Sequence, residues 1–152
     1  MGPDELRNII RRVRVFSTLG DDECDALMLN MRTRALESGH VLFREGTPGD
    51  TLALVVEGML VVRVARPDGT DAEVGQVHRG QVVGEMACID AAPRSASVIA
   101  AGKTVIYELS RDGLRKLARS APSVVAEIVG AIIRDVTARL RDVVETLVDR
   151  LE

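Results

Sequence analysis

Residues 80–101 read GQVVGEMACIDAAPRSASVIAA, and the way this stretch stops and restarts decides how its surroundings are read. Gly84 and Glu85 leave a strand, residues 86–89 have the length of one helical turn, and Ala91, Ala92 and Pro93 break it. Arg94 and Ser95 then open the next strand. A short helix start offers free backbone N–H groups, which favour an anion. An arginine arriving at the same point adds a planar fork that matches phosphate oxygens. A carboxylate there would repel phosphate, so Glu85 is better used on a neutral hydroxyl, as acidic residues are on ribose. Anion cradle, cation and hydroxyl acceptor together suggest a sugar phosphate.

The surroundings are short Val/Leu/Ile-rich runs separated by Gly, Pro and Asp. Strands are expected at 41–43, 51–56, 59–65, 72–77, 95–100 and 104–109. Asp68-Gly69 between two of them is a hairpin signal. Short strands at such spacing suggest an antiparallel barrel or sandwich rather than a βαβ fold.

Both flanks change period. Pro3 and Asp4 can open a helix with Leu6, Ile9, Ile10 and Val13 on one face. Phe16 and Leu19 flank a turn at Gly20, and Asp21 or Asp22 can cap a second helix. After Ser110, a suitable N-cap, Leu114, Leu117 and Ala118 return to helical spacing, and Pro122 opens a long helix running nearly to Glu152. Along it Val129, Ile133, Val136, Leu140, Val143 and Leu147 alternate spacings of four and three, a coiled-coil seam. A second stripe, Val125, Ile128, Ile132, Val144 and Val148, is more than packing on its own barrel needs. The expectation is therefore an α+β fold, a jelly-roll-like β-roll (32–110) between N-terminal helices (1–31) and C-terminal helices (111–152), all in one domain.

Composition narrows the function. The chain has 152 residues, is 46% apolar and only 2% aromatic, so its core is aliphatic. A formal net charge of -3 argues against a nucleic-acid surface, which needs clustered Lys and Arg. Cys24 and Cys88 match no metal-ligand spacing and read as reduced, buried thiols. The start lacks the basic and apolar regions of a signal peptide. No apolar run approaches the roughly 20 residues that cross a bilayer. A cytoplasmic protein is expected.

The 84–96 segment closely resembles the phosphate-binding cassette of cyclic nucleotide-binding domains, the β-roll family of catabolite activator proteins and protein kinase A regulatory subunits. The family pattern is Gly-Glu-apolar-Ala, a variable stretch, then Pro-Arg-(Ser/Thr/Ala)-Ala. This chain has Gly84-Glu85-Met86-Ala87 and Pro93-Arg94-Ser95-Ala96. Gly46, Gly49-Asp50 and Glu57-Gly58 also fall where the family has its first β-turn and the glycine after its third strand. The resemblance implies that Glu85 accepts from the ribose 2′-OH and Arg94 pairs with the cyclic phosphate of cAMP or cGMP. It implies that the amides of Ala87, Ser95 and Ala96 complete the cradle, and that Gly84 keeps backbone close to the sugar. Val62 and Val74 match positions lining the base pocket, Met86 would help close it, and Arg139 or Leu140 would cover the base from the last helix. No cofactor and no metal are implied. Gln81 and Val83 depart from the family's Asp and Phe, away from the ligand-contacting set.

The expected function is a sensor, not an enzyme, that homodimerises through its C-terminal helix. Many bacterial relatives carry a helix-turn-helix after the long helix, and this sequence stops at Glu152 without one, so no direct nucleic-acid contact is expected. Ser95 leaves cAMP against cGMP open, and a composition rich in Val, Ala and Arg leans to cAMP. Two other readings stand beside this one. A degenerate member would serve only as a dimerisation module, although it would be expected to have lost Glu85 or Arg94. A metal enzyme on a similar roll would need clustered ligands, and His40 and His78 are isolated.

Overall fold

The computed structural model describes residues 1–151; Glu152, the end of the expected helical segment, lies outside the described residues. Helix α1 (Pro3–Arg12), a 3-10 turn (Arg14–Phe16) and α2 (Asp21–Leu29) precede the strands. These are β1 (Arg32–Leu36), β2 (Val41–Phe43), β3 (Thr51–Glu57), β4 (Met59–Ala65), β5 (Asp71–His78), β6 (Val82–Val83), β7 (Ser97–Ala100) and β8 (Thr104–Ser110). Helix α3 (Ala87–Asp90) lies between β6 and β7, and α4 (Arg111–Ser120) and α5 (Pro122–Leu151) follow. The strands form two antiparallel sheets, ordered β1-β8-β3-β6 and β2-β7-β4-β5. The fold is thus the α+β roll with helices on both flanks that the sequence suggests.

Strand β3 is apolar almost throughout because both its faces are covered. Leu52, Leu54 and Val56 join a core with Ile10, Phe16, Leu27, Leu109, Leu117 and Ile128 on the helical side. Ala53 and Val55 face the roll interior with Leu36, Phe43, Leu60, Val98 and Ile106. Strands buried on two faces lose the in–out alternation that one-sided strands keep. Arg7 ties the first two helices together, donating through Nε and Nη2 to both carboxylate oxygens of Asp25, each at 2.7 Å. That hydrogen bonding holds the Asp25 carboxyl below the usual aspartate value.

Several expectations need correction. Helix α2 is capped by Gly20, whose N–H donates to Glu23 Oε1 at 3.1 Å, rather than by Asp21 or Asp22, which lie inside its first turn. Strand β7 starts at Ser97, not Ser95, because the Arg94 backbone is already engaged: its N–H donates to Thr47 O and its carbonyl accepts from Gly46. Strands β1 and β6 were not anticipated as separate runs; β1 carries two arginines and β6 is two residues long. Ser110 does cap α4, its Oγ accepting from Gly113 N at 3.0 Å.

Helix α5 divides into two halves. Val124, Ile128, Ala131 and Ile132 are buried against the helical core. Ile133, Val136, Leu140, Val143, Val144, Leu147 and Val148 are exposed. The second expected stripe therefore begins in the core, at Val125, Ile128 and Ile132, and ends in solvent, whereas the coiled-coil seam is exposed from Ile133 onward. No helix among the described residues is long and apolar enough to cross a membrane.

Candidate functional site

Strand β6 is followed by Gly84, whose φ of 80° lies in the left-handed region that glycine enters without strain. The chain then turns, with Ala87 N donating to Gly84 O at 3.1 Å, and enters α3. Ala91 stops that helix at φ 49°, the one non-glycine residue at positive φ among those described. A left-handed alanine costs about 1–2 kcal/mol. Ala92 N caps the reversal on Asp90 Oδ1 at 3.0 Å, and Pro93 leads into Arg94.

This path wraps a cavity of about 320 Å³. Gly84, Glu85, Met86, Ala87, Arg94 and Ser95 all line it. Six of the ten residues singled out in the sequence therefore meet at one place. Ala96 follows immediately but does not line the cavity. The amide expected from Ala87 is spent on Gly84. The amides of Ser95 and Ala96 make no hydrogen bond to protein among the described residues, so they are the donors left for an anion.

The other three residues lie elsewhere. Val62 sits in the roll, half-buried and packed on the interior core, paired with Val98 and Gly75. Val74 does not oppose it. The β4–β5 register slips between Val62 and Arg63, leaving Val74 as the extra residue of a β-bulge, 59% exposed. Arg139 is on the exposed side of α5, donating to Asp135 at 2.8 Å. Its neighbourhood is a second cavity, of about 270 Å³, lined by Arg12, Arg14, Asp135, Arg139 and Glu85. Glu85 thus stands between the cassette and the last helix. Asp135, nearly buried, also accepts from Arg14 at 2.7 Å, which links the 3-10 turn to α5.

Arg94 carries the electrostatics. Its Nη2 donates to Thr51 O at 2.7 Å, and its guanidinium carbon lies 3.6 Å from the centre of the Phe43 ring. Among the described residues no carboxylate lies within ion-pair range of it. Burial pushes the guanidinium below the usual arginine value. A half-buried cation without an anion is costly unless a ligand supplies one. Gly49 and Gly84 make room for it, since a Cβ at Gly49 would overlap Arg94 Nε and one at Gly84 would come within 2.6 Å of Nη1. Gly84 therefore clears space for the arginine, a role distinct from the approach to sugar expected of it.

Sequence reasoning missed Phe43, Gly49 and Thr51 as partners of Arg94. Gly49 was visible as a turn residue, but nothing in the sequence told which side chain it admits. Cys88 is the buried thiol expected, donating to Leu109 O at 3.4 Å with burial pushing its pKa up. Among the described residues there is no cluster of His, Cys, Asp and Glu able to hold a metal.

Known proteins resemble this chain in sequence and in fold. The profile of the family described as "Cyclic nucleotide-binding domain" matches residues 33–121. A CRP-like cAMP-activated global transcriptional regulator of Mycobacterium tuberculosis is 26% identical over 144 residues, 95% of this chain and 62% of that protein. The N-terminal domain of a transcriptional regulator from Streptomyces coelicolor has a TM-score of 0.82 at 29% identity, covering 91% of this chain and 94% of that one. The regulatory domain of Toxoplasma gondii PKA, crystallised with cAMP, has a TM-score of 0.69 at 30% identity, covering 76% of this chain and 44% of that one. The chain spans less than two thirds of the mycobacterial regulator.

Proposed function

Because the chain belongs to the cyclic nucleotide-binding domain family, we propose that it is a non-enzymatic sensor that binds cAMP in preference to cGMP and reports through its last helix. The observation that carries this reading is Arg94, a half-buried cation without a carboxylate, on the same cavity as Glu85 and beside the open amides of Ser95 and Ala96. In this reading the cyclic phosphate is the missing anion. Glu85 accepts from the ribose 2′-OH, Gly84 leaves the space both need, and Met86, 41% exposed, closes over the base. Val62 forms apolar wall deeper in the roll. The name of the mycobacterial regulator and the cAMP crystallised with the Toxoplasma domain support cAMP.

The signal follows from the position of Glu85. It borders the cavity that also holds Arg139 and Asp135 of α5, so drawing Glu85 onto a ribose hydroxyl moves its carboxylate relative to that helix. A ligand that contacts both sides biases α5 toward one position, a population shift. The exposed half of α5, with its coiled-coil spacing, pairs with a second copy, and the output passes to a protein partner rather than to nucleic acid. Sedimentation equilibrium reads this directly: a dimer is expected, converted to monomer by Leu140→Glu with Val143→Glu, two exposed positions whose change leaves the monomer folded.

Calorimetric titration with cAMP and cGMP tests the binding. Saturable 1:1 binding is expected, tighter for cAMP, and Arg94→Ala should weaken it by about 2–5 kcal/mol, as truncating one partner of a buried charge pair does. Equal affinity in the mutant would remove Arg94 from the site.

A further inference from the structure

We propose that Phe43 is a positioning residue for Arg94: its ring face and the Thr51 carbonyl together hold the guanidinium in the orientation in which it meets the phosphate. The inference rests on the reading of Arg94 as the phosphate ligand, and goes beyond it by naming what aims that ligand.

Arg94 leaves an irregular stretch, between the left-handed Ala91 and the start of β7, so no regular element restrains its side chain. A free arginine of this kind loses much rotamer entropy on binding, which subtracts from affinity. Here it is already fixed on three sides. The ring centre lies 3.6 Å from its central carbon, close enough for the negative ring face to attract a cation. Nη2 is spent on Thr51 O at 2.7 Å. Gly49 and Gly84 flank the group so tightly that neither tolerates a Cβ beside it. Phe43 is itself held, being 8% exposed and part of the interior core with Leu36, Val55 and Val98. A rigid ring therefore aims a flexible cation, and Nη1, the nitrogen against Gly84, faces the start of the cassette.

A ring that merely fills the core would give the same static picture, so the test must change its electrostatics and not its shape. Replacing Phe43 by mono-, di- and trifluorinated phenylalanine drains the ring face stepwise while keeping its volume nearly constant. Titration with cAMP across the series should show affinity falling progressively, about 3- to 30-fold in total, with the thermal midpoint held or raised. Phe43→Tyr, which keeps the ring face, should retain affinity. In the ligand-free protein, the Arg94 side-chain protons should lie upfield from the ring current and return on Phe43→Leu. Flat affinity across the fluorinated series, with Arg94→Ala still weakening binding, would leave Arg94 as the phosphate ligand and overturn the role of Phe43. Unshifted Arg94 protons would overturn it without any ligand. Wild-type protein that binds neither nucleotide would overturn the binding reading and this proposal with it.

Discussion

Strand β3 divides two interiors that are built in different ways. On the helical side Leu54 is sealed among Ile10, Phe16, Leu27, Leu117 and Ile128, and the core closes on apolar side chains alone. On the roll side Ala53 and Val55 meet Phe43, Leu60 and Val98, and that core ends at Arg94 and at an Arg34–Glu108 ion pair of 2.7 Å. The first interior holds the helices to the sheet. The second stops short of closing and presents a cation at its edge. The proposed binding site and the stabilising core therefore lie on opposite faces of one sheet, and substitutions on the two faces should separate stability from binding.

The largest effect is expected at Leu54→Ala, which opens a cavity in the sealed side. Chemical denaturation should show a loss of about 2–5 kcal/mol. Affinity for cAMP, measured well below the unfolding midpoint, should stay within twofold; a parallel loss of affinity would mean that the two interiors are coupled. Gly84→Ala comes next, on the open side. It combines a positive φ with a Cβ only 2.6 Å from Arg94 Nη1 and 3.0 Å from both the Phe43 ring and Thr51 O. A stability loss of about 1–3 kcal/mol is expected, together with at least a tenfold weaker titration of cAMP. The smallest effect belongs to Gly69→Ala in the β4–β5 hairpin, where φ is 86° but nothing lies within 4 Å. It should cost about 1 kcal/mol of stability and leave cAMP affinity unchanged. If Gly84 and Gly69 behave alike, the glycine at the cassette is a turn residue and no more.

Much of this arrangement could be read in the chain. The Gly-Glu and Pro-Arg-Ser-Ala segments specify a turn, a short helix and a restart through residue types with strong backbone preferences, and six of the ten chosen residues do share one cavity. What could not be read depends on partners distant in sequence. Ser95 falls outside β7 because Thr47 and Gly46 claim the Arg94 backbone. The bulge that turns Val74 out of register is a single extra residue in a run of ordinary strand composition. Phe43, flanked by Leu42 and preceded by Val41, has the sequence context of any core aromatic, and only the fold brings Arg94 across its face. The burial that splits α5 likewise follows from where the helical core ends, since its apolar period continues unchanged to Val148.

The central claim is that the 84–96 cassette is where a cyclic nucleotide binds. It is tested most directly by following the backbone amides and the Arg94 Nε of isotopically labelled protein by NMR as cAMP is added. The account predicts saturable shifts concentrated at 84–96, largest at Ser95, Ala96 and Arg94 Nε, with a second set on α5 around Asp135 and Arg139. Shifts absent at saturating cAMP, or confined to residues outside 84–96, would contradict it.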